Sequence, residues 1–244
     1  MLKVTASALV GGAVLGSEAF AKSGSQTFSS PGKVLVIGGH PDDPETTCGG
    51  TMAVLKAAGY DVVAVYLTRG ESGIKGKTHA EAAAIRTEEA QKACEVLGVR
   101  PVFLSQIDGY TELNVERYKE MRDYIESENP DIVFTHWPVD LHRDHRVCSN
   151  LVLEAWKRLK YKFDLYFFEA MTGGQTQLFH PTDYVDITAV ADKKLEACMC
   201  HVSQGMEDIY ANWHHQMEQF RGIEFHCKRA EAFVHLRRSD SDII

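Results

Sequence analysis

Two stretches of the chain carry the residue types of a hydrolytic metal site: His40-Pro41-Asp42-Asp43, and later His136-Trp137-Pro138-Val139-Asp140-Leu141-His142-Arg143-Asp144-His145. Imidazoles and carboxylates are zinc donors, and three of them plus a water describe a catalytic site with an open coordination position. Asp42 and Asp43 are adjacent in a tight loop stiffened by Pro41 and Pro44, so their carboxylates cannot readily reach one spot. One is expected to bind metal while the other faces the attacking water and accepts its proton. His142 and His145, three apart at a helix start, share a face. If His145 is the ligand, His142 stands nearby as a cationic donor to an oxyanion. Asp144 then either orients and charges that ring or caps the helix.

These stretches need a scaffold that brings them together. From Lys33 onward, short β-branched apolar runs alternate with longer helical stretches, the pattern of βαβ units and a mainly parallel sheet. Strands are expected over residues 33–37, 61–67, 101–104, 131–135 and 163–168, with an edge strand over 182–186 and a last strand over 232–236. Helices are expected over 47–58, 80–97, 115–128, from about 144, over 188–201 and across the stretch around 213–222. The fold class is thus α/β, a Rossmann-like twisted sheet with helices on both faces. With strand order 3-2-1-4, the loops after the first and fourth strands face one crevice at the carboxyl ends, where the two clusters converge.

Composition sets limits on this reading. The 244 residues, 44% hydrophobic and 25% charged, suffice for one α/β domain. A formal charge of −8 opposes binding to a phosphate backbone, so nucleic acid is not an expected partner. Met1-Leu2-Lys3, a small and apolar run over residues 4–16, and Ala19-Phe20-Ala21 have the layout of a secretory signal over residues 1–21, which predicts export. Residues 22–32 read as a linker and 33–244 as the catalytic domain. No later segment has the roughly 20 apolar residues of a membrane span. The six cysteines form no CxxC pair and are expected to be mostly free thiols.

The motifs resemble the LmbE/PIG-L family of zinc-dependent N-deacetylases over most of the chain after Lys33. Its hydrophobic strand followed by His-Pro-Asp-Asp is seen at His40 to Asp43, and its later His-x-x-His at His142 to His145. The resemblance implies that His40, Asp43 and His145 bind zinc, that Asp42 is the general base and that His142 stabilises the oxyanion. Iron or cobalt could replace zinc at such a site. The Arg-x-x-Glu helix of the family is similar to Arg86 with Glu89, which implies a substrate-holding Arg86; a solvated helix charge is the alternative. Thr68-Arg69-Gly70-Glu71 looks like the family's loop after the second strand, which adds Arg69. Lys194 followed by His201-Val202-Ser203-Gln204 resembles a segment on the substrate side, making His201 a site candidate, with a buried core histidine as the alternative. Pro44-Glu45 departs from the many members with Glu directly after the second Asp.

The expected activity is removal of the acetyl group from an N-acetylated amino sugar or glycoconjugate. A nucleotide-binding Rossmann protein is disfavoured, because GxGxxG is missing and acids stand where phosphate needs amides or cations. A non-catalytic metal- or carbohydrate-binding module would have no evident use for both Asp42 and His142. Trp137 and Tyr110 are candidate platforms for a sugar ring, with core packing as the alternative. Histidines 79, 180, 214, 215, 226 and 235 match no ligand spacing.

Overall fold

The computed structural model describes residues 3–4 and 31–237. The expected leader and linker lie outside the described residues, apart from residues 3–4 and 31–32. Strand β1 (Lys3–Val4) is followed by β2 (Lys33–Gly38), α1 (Asp43–Ala57), β3 (Asp61–Tyr66), α2 (His79–Leu97), β4 (Arg100–Phe103) and α3 (Val115–Glu128). Next come β5 (Ile132–His136), α4 (Arg143–Arg158), β6 (Asp164–Phe168), β7 (Asp183–Asp186) and α5 (Ala191–Met199). The chain continues through α6 (Met206–Ile209), a π-helical turn (Tyr210–His214), α7 (His215–Phe225) and β8 (Ala230–Leu236).

The sheet order is β1-β7-β8-β6-β5-β2-β3-β4. Strands β6, β5, β2, β3 and β4 are parallel, and the expected 3-2-1-4 arrangement is present as β4-β3-β2-β5. Two faces are covered because successive strand residues point to opposite sides. Val34 and Val36 of β2 pack with Met52 of α1, Ala90 and Leu97 of α2 and Ala197 of α5. Leu35 and Ile37 pack with Met121 and Ile125 of α3 and Leu151 and Val152 of α4. Each fully buried valine, leucine, isoleucine or methionine among these contributes about 1.5–3 kcal/mol.

Three local expectations are corrected. Helix α1 begins at Asp43, not at residue 47, because Pro44 lies in its first turn, where a missing N–H costs nothing. The helix expected over 188–201 is α5 preceded by a 3₁₀ turn, Thr188–Val190. β8 enters antiparallel between β6 and β7, so the sheet is mixed on that side. Close approach at the β2–α1 turn depends on Gly38, where a Cβ would lie 2.7 Å from Asp43 Cβ and 2.8 Å from Pro44 Cδ. All six cysteines are free. Among the described residues no helix is long and apolar enough to cross a membrane.

Candidate active site

Because β2 and β5 are hydrogen-bonded neighbours, the turn after Gly38 and the loop after His136 open side by side. Asp43 sits where they meet. Its Oδ2 accepts the His40 N–H at 2.7 Å and lies 3.2 Å from His40 Nδ1, while its Oδ1 lies 3.3 Å from His145 Nε2. The outer nitrogens of both rings face acids: His40 Nε2 is 3.2 Å from Asp144 Oδ2 and 3.3 Å from Asp108 Oδ1, and His145 Nδ1 is 3.2 Å from Asp140 Oδ1. A carboxylate on the far nitrogen fixes a ligand histidine's tautomer and orientation, leaving the near nitrogen to the metal.

Three overlapping sets have donor atoms within 4.8 Å of one another: His40/His142/His145, Asp43/His136/His145 and His40/Asp108/Asp144. The contacts of Asp43 with both His40 and His145 tie the first two together. Electrostatics favour a cation here. Burial opposes charge on His145, but Asp43 and Asp140 outweigh it and push its pKa up to about 9. Burial likewise opposes charge on His40, yet Asp108, Asp144 and Asp43 hold its pKa well above the usual value. A field that holds protons on two inward-facing imidazoles is one that a divalent cation can satisfy in their place. The cluster therefore suits a metal ion, with Asp43 linking the set that holds His40 to the set that holds His145.

Asp42 is partly exposed beside this cluster, with backbone φ of 112°, a strained conformation for a residue with a Cβ. Its side chain makes no helix cap; instead Oδ2 accepts from Arg86 Nη2 at 2.9 Å, and Arg86 also donates to the Pro41 carbonyl. Arg86 is 3% exposed and closely covered by Gly70, whose φ is +68° and where a Cβ would fall 2.4 Å from the guanidinium. It thus reaches the site through Asp42 and is not a solvated helix charge. Arg69 donates to Thr87 Oγ1 at 3.1 Å and lies over the Phe103 ring, contacts that do not belong to the His/Asp cluster.

His142 is exposed and its ring centroid is 4.7 Å from those of His40 and His145, so the shared face is present. The Asp144 carboxylate takes its hydrogen bonds elsewhere, while its charge still favours a proton on the His142 ring. The Asp144 carboxylate accepts from Thr111 Oγ1 at 2.6 Å and from Gly109 N–H at 2.8 Å, and its Oδ2 faces His40. It is the Asp144 backbone N–H that donates to His142 Nδ1, at 3.2 Å, making His142 itself the cap of α4. Since Nδ1 accepts, the proton sits on Nε2. Burial and then the neighbouring His40 and His145 lower the His142 pKa, against Asp43 and Asp144, which raise it, and Nε2–H is the ring donor left to face outward.

His201 is fully buried with Nε2 3.6 Å from Glu45 Oε2, which matches the buried-histidine alternative. Asp140, Asp108 and His136 join the cluster without a spacing in the sequence that assigns them a role. His136 is the last residue of β5, is fully buried, accepts the Gly39 N–H at 3.1 Å and stacks on His145 at 3.8 Å. Burial, then His145, lowers its pKa to about 4, so it is a neutral wall beneath Asp43. The only sequence signal for it was its place at a strand end. Of the histidines set aside, none joins a potential ligand set among the described residues. The Asp140 contact makes a test: Asp140→Asn is expected to weaken metal binding about 10–100-fold in competition with a chromogenic chelator. An unchanged affinity would remove Asp140 from the support of His145.

The α/β sheet thus carries, across neighbouring strand ends, a His/Asp cluster that could hold a metal ion. The PIG-L family model, described as GlcNAc-PI de-N-acetylase, matches residues 35–156. The chain is 34% identical over 203 residues to diacetylchitobiose deacetylase of Thermococcus kodakarensis, covering 77% of this chain and 76% of that protein. It is 27% identical over 199 residues to 4-oxalmesaconate hydratase of Pseudomonas putida, covering 73% and 77%. Its structure resembles that of N,N'-diacetylchitobiose deacetylase from Pyrococcus horikoshii with a TM-score of 0.73 and 27% identity, covering 84% and 83%. The chain belongs to the PIG-L family.

Proposed function

We propose that the protein is a metal-dependent hydrolase that removes the N-acetyl group from an N-acetylglucosamine-type sugar or glycoconjugate, releasing acetate and a free amine. The observation that carries this reading is Asp42: a strained, partly exposed carboxylate, fixed by a buried arginine, beside a donor set fit for a metal. A divalent metal, zinc first and iron or cobalt next, would be held by His40, Asp43 and His145 and would supply Lewis-acid activation of water and carbonyl. Asp42 takes the proton from the attacking water and passes it to the departing amine nitrogen. His142 Nε2–H donates to the acetyl oxygen as negative charge builds there. Similarity to the diacetylchitobiose deacetylases supports the sugar as substrate.

The hydratase relative supports a second reading, addition of water to a carbon–carbon double bond with Asp42 again as the base. The two are separated by supplying N-acetylglucosamine derivatives and unsaturated carboxylic acids to metal-reconstituted protein, following acetate and amine in one series and loss of ultraviolet absorbance in the other. Chelator-sensitive acetate release is the expected outcome. Bound metal with no turnover of either class would sink both and leave a non-catalytic binding protein.

A further inference from the structure

The segment His201-Val202-Ser203-Gln204 leaves α5 in a 3₁₀ turn, Val202–Gln204, and joins no potential ligand set among the described residues. Three of its four residues nevertheless reach the elements that hold Asp42. His201, fully buried, puts Nε2 3.6 Å from Oε2 of Glu45, which is also fully buried and lies in the first turn of α1, three residues after Asp42. The Ser203 N–H and hydroxyl both donate to the Glu89 carboxylate at 2.7 Å, and Glu89 stands one turn after Arg86 on α2. Gln204 Nε2 donates to the Gly73 carbonyl at 3.4 Å, in the loop that closes over Arg86, where a Cβ on Gly73 would fall 2.4 Å from Nη1. Val202, the fourth residue, is exposed.

We infer that His201 is a positioning residue for the general base: with Ser203 and Gln204 it straps α1, α2 and the 70–73 loop together and so holds Asp42 in its strained conformation against Arg86. The inference rests on the reading of Asp42 as the base. A residue with a Cβ keeps a φ of 112° only where its surroundings over-determine it. Arg86 fixes the Asp42 carboxylate, and the strap fixes both the helix that follows Asp42 and the arginine. Charges alternate through the assembly, Asp42 and Glu45 negative, Arg86 and His201 positive. Burial opposes a proton on His201, but Glu45 and then Asp42 outweigh it, against Arg86, and hold its pKa above the usual value. At 3.6 Å its contact with Glu45 is an ion pair and not a hydrogen bond. Loss of the imidazole would leave Glu45 a buried carboxylate beside the first turn that Asp42 opens, with the Tyr66 hydroxyl as its donor. The family resemblance implies a place for His201 on the substrate side, but a residue with no exposed surface cannot touch a sugar and acts through its neighbours.

The test is a double-mutant cycle in the metal-reconstituted full chain, with acetate release from N,N'-diacetylchitobiose measured for His201→Gln, Asp42→Asn and both together. His201→Gln is expected to lower kcat about 10–100-fold with KM and bound metal unchanged, and to cost less than about twofold more once Asp42 is replaced. Equal losses in both backgrounds would mark a general structural effect and overturn the inference, as would an unchanged kcat. Where His201→Gln fails to fold, Ser203→Ala cuts the strap at a half-buried position and reads the same cycle, with an expected fall of about threefold. Should wild type hydrolyse no acetamide, the deacetylase reading fails separately, and the positioning is read from a crystal structure of the folded variant. Asp42 leaving the left-handed region or parting from Arg86 supports it; φ near 112° with the 2.9 Å contact kept overturns it.

Discussion

Asp42→Asn is expected to lower kcat/KM for deacetylation by about 10²–10⁴-fold while leaving bound metal and thermal stability unchanged. The substitution removes the proton acceptor and little else. Asparagine Oδ1 can still accept from Arg86 Nη2, so the 2.9 Å contact survives, and asparagine tolerates positive φ better than most residues. Burial, opposed chiefly by Arg86, raises the Asp42 pKa above the ordinary carboxylate value. The base must be ionised to work, so activity falls as pH drops through that raised pKa, and the acid limb of the profile should vanish in the variant. Acetate release, metal content and the pH profile measured together decide the matter. A near-normal rate with metal bound would refute Asp42 as base.

Lys194→Met is expected to cost about 3–5 kcal/mol of folding stability, a fall on the order of 10 °C in Tm. Lys194 Nζ lies 2.9 Å from Glu218 Oε1 and 2.8 Å from Glu231 Oε1, and all three side chains are fully buried. Burial opposes the charge, but the two glutamates outweigh it and hold the Lys194 pKa well above its usual value. Methionine would strand two carboxylates in the core, leaving Arg229 Nη1, 3.5 Å from Glu218 Oε2, as the nearby cation and Tyr210 OH still donating to Glu218 Oε1 at 2.8 Å. Glu231 also accepts from the Gly50 and Thr51 N–H groups at 2.9 and 2.7 Å, which ties this cluster to the helix that carries Asp43. Adding Glu231→Gln to the methionine variant should recover part of the loss. A denaturant midpoint equivalent to less than about 1 kcal/mol of change would show that the cluster is not what anchors α1.

The parallel core was legible because its strands are short β-branched runs with local period, and the neighbouring ends of β2 and β5 followed from connection rules. Those same rules bring His40, Asp43, His142 and His145 to one crevice. What escaped depends on partners distant in the chain. Nothing local around Lys194 announces Glu218 or Glu231, and no spacing rule sends the Asp144 carboxylate to His40 and its backbone N–H to His142. The start of α1 was misplaced because Pro44 stiffens a loop or opens a helix equally well in sequence. Trp213 read only as part of a polar helix, since its outward turn comes from a π segment that periodicity does not reveal.

The position of β8 bears on how the chain is made. Strands β6 and β7 are both synthesised before the strand that separates them, so neither finds its permanent neighbour on that side until β8 leaves the ribosome. In that interval β6 presents an open edge next to a nearly finished sheet, the kind of template on which a second nascent copy can dock. Glu231 travels on β8, and its arrival gives Lys194 its second counter-charge at the moment the edge closes. The polypeptide thereby couples sealing of its exposed border to neutralisation of its interior in one late step of biosynthesis.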